Sequence, residues 1–156
     1  MHDRAEEFTE RAEREYDFEV DVEEFPEGTK TAEDAAEAVG CDVAQIASSI
    51  ALRADDRLVV VVTSGANRVS TDKVAELVDA DSVEMADAGE IKSVLGWSIG
   101  GVPPFCHDGD VLEYMDETLT EFETVWAAAG TPEAVFPIDP EELQELSGAQ
   151  VADVAE

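Results

Sequence analysis

Residues 96–107 read Gly-Trp-Ser-Ile-Gly-Gly-Val-Pro-Pro-Phe-Cys-His and hold the chemistry-bearing types at their closest spacing. The paired Gly100 and Gly101 let a backbone approach a ligand with its N–H groups turned toward it. Pro103 and Pro104 then stiffen the exit, since each fixes φ and donates no hydrogen bond. A rigid loop with bare amides is what an oxyanion site needs, because its donors must stand in position before charge develops. The same residues also fit a plain tight turn that needs glycine for positive φ. Cys106 and His107 follow at once. With no base other than His107 nearby, the thiol reads as a buried, inert side chain. His107 either orients a substrate or caps its own loop.

Other constellations are absent. The chain contains no P-loop, no GxGxxG after a strand, no HExxH and no GxSxG. Its two histidines are His2 and His107, so a histidine metal cluster is not expected, and neither metal nor cofactor is called for. Cys41 and Cys106 stand alone without metal-ligand spacing and suit a reducing cytosol.

These residues need a scaffold, and 156 residues with 44% apolar content can bury a core as one folded unit, 1–156. Thirty-nine acids face six Arg and three Lys, a formal net charge of −30. Acid scattered through every segment over a normal core, with Lys scarce, reads as adaptation to a very salty cell. There the Debye length shrinks to about 3 Å and self-repulsion fades. The alternative is an acidic mimic of nucleic acid or a partner for a basic protein. The opening residues are too charged for a signal peptide, and the longest apolar run, Leu58 to Val62, falls far short of a membrane span. A cytoplasmic location without membrane or DNA contact is expected.

Along the chain, Phe8 and Ala12 lie at helical spacing, so residues 1–16 form an N-terminal helix of the same domain. Phe18, Val20 and Val22 alternate with acids as a strand would, until Pro26 and Gly28 break it. Thr31 opens a helix with Asp34 in a capping box, and Gly40 ends it. Residues 46–54 alternate, Asp55-Asp56 turn, and 57–63 carry the β-branched run of a central strand. Ser70 and Asp87 cap two further helices, with a short strand at 83–86 between them. Residues 97–101, 111–115, 125–129 and 134–138 read as strands, and Pro140 begins a last helix closed by Gly148. About seven strands with four or five short helices, several strands too close for crossovers, give an α+β domain. Its sheet is curved, mixed or mostly antiparallel, open or closed as a barrel.

The segment at 96–107 resembles the Gly-Gly-x-x-Pro loop of the YbaK/ProX-type aminoacyl-tRNA deacylases, whose members are similar to the editing domain of bacterial prolyl-tRNA synthetase. Residues 31–52, 63–77 and 121–143 resemble, in order, the family's helix with first core strand, its strand–loop–helix unit and its closing strands and helix. The likeness runs from about Pro26 to Glu156. It implies the fold just described and a trans-editing hydrolase that cleaves the ester of a mischarged small amino acid at the 3′ acceptor end of tRNA. In that picture Gly100 and Gly101 hold the acyl oxygen, a water attacks, and Arg68, Lys73, His107, Thr31 and Ala128 line or grip the substrate.

Three positions depart from the family pattern. Ser48 stands where the family has the Lys taken to anchor the tRNA end, and it is counted with the catalytic set. Cys106 stands where a Gly is usual, and Ala128 replaces a pocket Ser. Loss of the Lys leaves open a second reading, a non-catalytic module of the same fold that binds an amino acid, a nucleotide or a protein. Trp97 and Trp126 read as core.

Overall fold

The computed structural model describes residues 3–25, 31–98, 100–109 and 111–156. The breaker at Pro26 and Gly28, and also His2 and Ile99, lie outside them. Helix α1 (Asp3–Tyr16) turns Ala5, Phe8 and Ala12 into the core at three- and four-residue spacing, each fully buried. Strand β1 is the pair Glu23–Glu24. Residues 18–22, expected as a strand, form no ladder, yet Phe18, Val20 and Val22 still pack against the core. Their alternation reports side-chain burial without backbone pairing.

Helix α2 (Ala32–Val39) starts where the Thr31 side chain accepts from the amide of Asp34 at 3.1 Å. A 3-10 turn (Val43–Gln45) leads into β2 (Ile46–Ala54), which pairs antiparallel with β3 (Arg57–Ser64) along its length from Ala47. Val60 and Val62 face the larger core cluster, and Val59 and Val61 face a second one on the other side of the sheet. This is why the run shows no polar alternation. Then follow α3 (Thr71–Val78), β4 (Val83–Met85), α4 (Ala88–Leu95), β5 (Leu112–Asp116), β6 (Val125–Ala128), β7 (Ala134–Ile138) and α5 (Pro140–Ser147). The final strand β8 (Gln150–Ala152) is too short to be read from pattern.

The described residues form one α+β domain with five helices and a mixed sheet of eight strands. The order is β1-β7-β6-β2-β3-β5-β8, with β4 also beside β2, and the sheet does not close into a barrel. The described residues of 97–101, expected as a strand, form no ladder: Gly100 takes φ +86° and the Gly101 amide closes back on the Ser98 carbonyl. No described helix is long and apolar enough to cross a membrane.

One topological detail positions the site. Strand β3 covers one edge of β2. On the other edge β6 pairs in parallel with Ile46 and Ala47, and β4 pairs antiparallel with Leu52 to Ala54. Between those two partners the ladder has a gap.

Candidate functional site

The gap opens into a cavity of about 290 Å³. Ala47, Ser48, Ser49, Ile50 and Ala51 of β2 form one side, and Trp126, Ala127 and Ala128 of β6 another. Thr31 and Ala35 from the start of α2, Ile91 of α4, and Gly100 with Val102 also line it. No Asp, Glu, His, Cys, Lys or Arg is among the described lining residues, in a chain with 39 acids. The cavity is a neutral, mostly apolar chamber. A second groove, on Thr63, Asn67, Arg68 and Thr71, shares Ala32, Ser48, Ile50 and Met85 with the first, so the two communicate over Ser48.

The loop beside the chamber is built from its ends inward. The amide of Asp108 donates to the Leu95 carbonyl at 3.0 Å, and the indole N–H of buried Trp97 donates to the Cys106 carbonyl at 2.9 Å. His107 Nε2 lies 2.7 Å from the Pro103 carbonyl. A carbonyl only accepts, so Nε2 carries the proton and Nδ1 is bare. Gly101 lies against the chain at Gly130 and Thr131: a Cβ there would meet Thr131 Cα at 2.6 Å. Only a glycine lets the two segments come this close.

Geometry revises several sequence readings. The Gly101 amide donates to the Ser98 carbonyl at 3.0 Å, so it is not free for a substrate oxygen, and Gly101 does not line the chamber. Gly100 does, and it is exposed. Lys73 is held by Asp153 Oδ2 at 2.8 Å and the Ala155 carbonyl at 2.6 Å, where it clamps the C-terminal segment; it lines neither cavity. His107 is largely buried and braces its own loop. Burial lowers its pKa, which keeps the ring neutral. Cys106 has φ +67°, a conformation that costs a glycine nothing and explains why glycine suits that position. Burial pushes its thiol up to about 12, so it is no nucleophile at neutral pH.

Thr31, Ser48 and Ala128 do line the chamber, and Arg68 lines the adjoining groove. Asn67 anchors that groove: its amide donates to Asp116 Oδ2 and Thr118 Oγ1, each at 3.0 Å, and fixes the loop that carries Arg68. Trp97 is core as expected, but Trp126 is a wall of the chamber. Ser49 was also missed, although two successive hydroxyls in the middle of an apolar strand are the kind of local conflict that functional sites retain.

The sequence profile of the aminoacyl-tRNA editing domain matches residues 26–146. The chain belongs to that family. Within it, the chain is 33% identical over 136 residues to the uncharacterised protein YwhH of Bacillus subtilis, covering 85% of each. It is 31% identical over 109 residues to the proline–tRNA ligase of Lactobacillus helveticus, covering 70% of this chain but 19% of that enzyme. A crystal structure proposed to be a trans-editing enzyme for prolyl tRNA synthetase superposes with a TM-score of 0.94 at 37% identity, over 100% of this chain and 99% of that one. The chamber, the Gly100 turn and Ser48 therefore belong to an editing-domain scaffold.

Proposed function

We propose that this editing domain acts in trans as an aminoacyl-tRNA deacylase that hydrolyses the ester joining a small amino acid to the 3′ end of a mischarged tRNA. The carrying observation is the neutral chamber itself: about 290 Å³, walled by Ala, Ile, Val and Trp, beside a glycine with its amide unused among the described residues. A small acyl group fits that volume. With no acid or histidine in the described lining, no side chain is at hand as a general base. Catalysis therefore falls to positioning and to backbone amides that hold the acyl oxygen, Gly100 among them. The Gly100 N–H faces the acyl oxygen, and a water aided by the neighbouring ribose hydroxyl attacks. One such donor is worth about 2.7–4 kcal/mol, which suits an activated ester.

The acceptor end would leave over Ser48 into the second groove, where Arg68 is exposed and makes no ion pair among the described residues. In a chain of net charge −30, an uncommitted cation on this path supports a phosphate contact. RNA binding is ordinarily dominated by phosphate neutralisation; here hydrogen bonds at a single-stranded terminus supply most of the grip.

The test is deacylation of a panel of tRNAs charged with small amino acids, in molar KCl so that like-charge repulsion is screened. Cleavage of at least one ester is expected, and cleavage of none would end the proposal. Arg68→Ala is expected to raise KM about tenfold with kcat nearly unchanged, the worth of one charge-assisted hydrogen bond. Ser48→Lys puts an ammonium where the two cavities meet and is expected to raise kcat/KM about tenfold on the same scale. An unchanged rate would mean that the serine needs no cation beside it.

A further inference from the structure

The gap in β2 has a polarity set by its backbone. The Gly65 amide donates to the Ile46 carbonyl, so that carbonyl lies on the β3 edge. Backbone direction alternates along a strand, so Ala47, Ser49, Ala51 and Arg53 present their N–H and C=O groups to the opposite edge. The Ala86 amide donating to the Ala51 carbonyl at 3.1 Å agrees. The β6 ladder stops at Ala47↔Ala127, and the β4 ladder begins at Leu52↔Met85. Ser49 lies between them, with neither its N–H nor its C=O paired among the described residues. Ser49 Oγ is also buried without a hydrogen-bond partner, in the same cavity lining. Buried backbone groups are paired in the great majority of cases, so an open donor–acceptor couple in a chamber points to a ligand that completes it.

We infer that the main chain of the bound amino acid is read by Ser49 as one rung of a strand: the α-ammonium donates to the Ser49 carbonyl, and the Ser49 N–H donates to the acyl carbonyl oxygen. In an antiparallel sheet, two opposed residues exchange both hydrogen bonds in this way. An α-aminoacyl group carries the donor and acceptor needed, one on each side of its Cα. The pairing holds any α-amino acid by the same two bonds and leaves size selection to the alanine walls. It rests on the deacylase reading and specifies its substrate class, acyl groups with a free α-ammonium.

The probes are two stable adenosine amides of nearly equal size, 3′-(L-alanyl)amino-3′-deoxyadenosine and its propionyl counterpart, which lacks only the ammonium. Calorimetry is expected to give the alanyl compound an affinity at least about tenfold higher, the loss of one hydrogen bond to a charged group. In amide NMR, the Ser49 N–H signal is expected to move on titration. Ser49→Ala keeps the backbone pair and is expected to retain the alanyl preference; loss of that preference in the variant would assign recognition to the hydroxyl and overturn the inference. Equal affinities, or binding that leaves the Ser49 amide unmoved, would also overturn it. If the alanyl amide does not bind while tRNA esters are still cleaved, the rung is wrong and the deacylase stands. Failure of both amide binding and ester cleavage removes both.

Discussion

Gly101→Ala is expected to cost about 1–3 kcal/mol of stability and to reduce deacylation more than tenfold. The new Cβ would lie 2.6 Å from Thr131 Cα, 2.9 Å from its amide nitrogen and 3.0 Å from the Gly130 carbonyl oxygen. All three are backbone atoms, which cannot rotate away as a flexible side chain would. The loop must therefore move, and it carries both Gly100 and Val102 into the chamber wall. For a domain of this size the melting midpoint falls by about 2–4 °C per kcal/mol.

Gly100→Ala separates the steric role from the catalytic one. A Cβ there meets only Pro132 atoms, at 3.8 and 3.9 Å, but φ +86° strains any L side chain by about 1–2 kcal/mol. Its stability loss should be the smaller, while its rate loss should be similar, because relief of the strain turns the donor amide. Melting curves and single-turnover deacylation of both variants check this. A Gly101→Ala protein with an unchanged midpoint would mean that the two segments are not packed as described.

Much of this architecture is legible in residue patterns. The β2–β3 hairpin follows from an alternating segment, an Asp-Asp turn and a β-branched run, and Asp55 takes the positive φ of 56° that such a turn requires. Helix boundaries at Thr31, Ser70 and Asp87 follow from capping chemistry, and each of those side chains accepts a backbone N–H near its helix start, while the last helix follows from Pro140 in its first turn. What pattern cannot convey is pairing between distant segments. Lys73 looks available until Asp153 and Ala155 are brought beside it. The Gly101 amide looks bare until the turn folds back on Ser98. Phe18, Val20 and Val22 alternate because their side chains alternate in burial, which needs no ladder. The chamber was the least legible part, since it is made by strands that stop: β6 after Ala47 and β4 before Ala51. The Ser48-Ser49 pair was its only local trace.

Stability should fall with rising pH near neutrality because of Glu113. Glu113 is buried on β5, and burial alone raises its pKa well above the ordinary carboxylate range. His107 Nδ1 faces its Oε1 at 3.7 Å, which is the geometry of an ion pair. An ion pair would lower the acid and raise the base, yet the acid is raised and the base lowered. The couple is therefore neutral on both sides, with His107 further influenced by the Pro103 carbonyl, Arg11 and Asp108.

A carboxyl with a raised folded-state pKa leaves full stability below its unfolded value of 4.5 and removes stability as pH climbs toward the folded value. A histidine with a lowered folded-state pKa leaves full stability above 6.5 and removes it as pH falls below that. Above pH 6.5 the histidine contributes no slope. Cys41 and Cys106, raised from 9.0, enter only at still higher pH. From about pH 6.5 up to the folded value of Glu113 the remaining slope is one proton's worth, at most about 1.4 kcal/mol per pH unit, downward. Glu113→Gln keeps the shape and removes the ionisation, so urea midpoints in molar KCl should become flat across that window and exceed the parent's at its upper end. A parent protein whose stability is already flat there, or a glutamine variant that keeps the slope, would mean that Glu113 is ionised in the fold and that the pair with His107 carries charge after all.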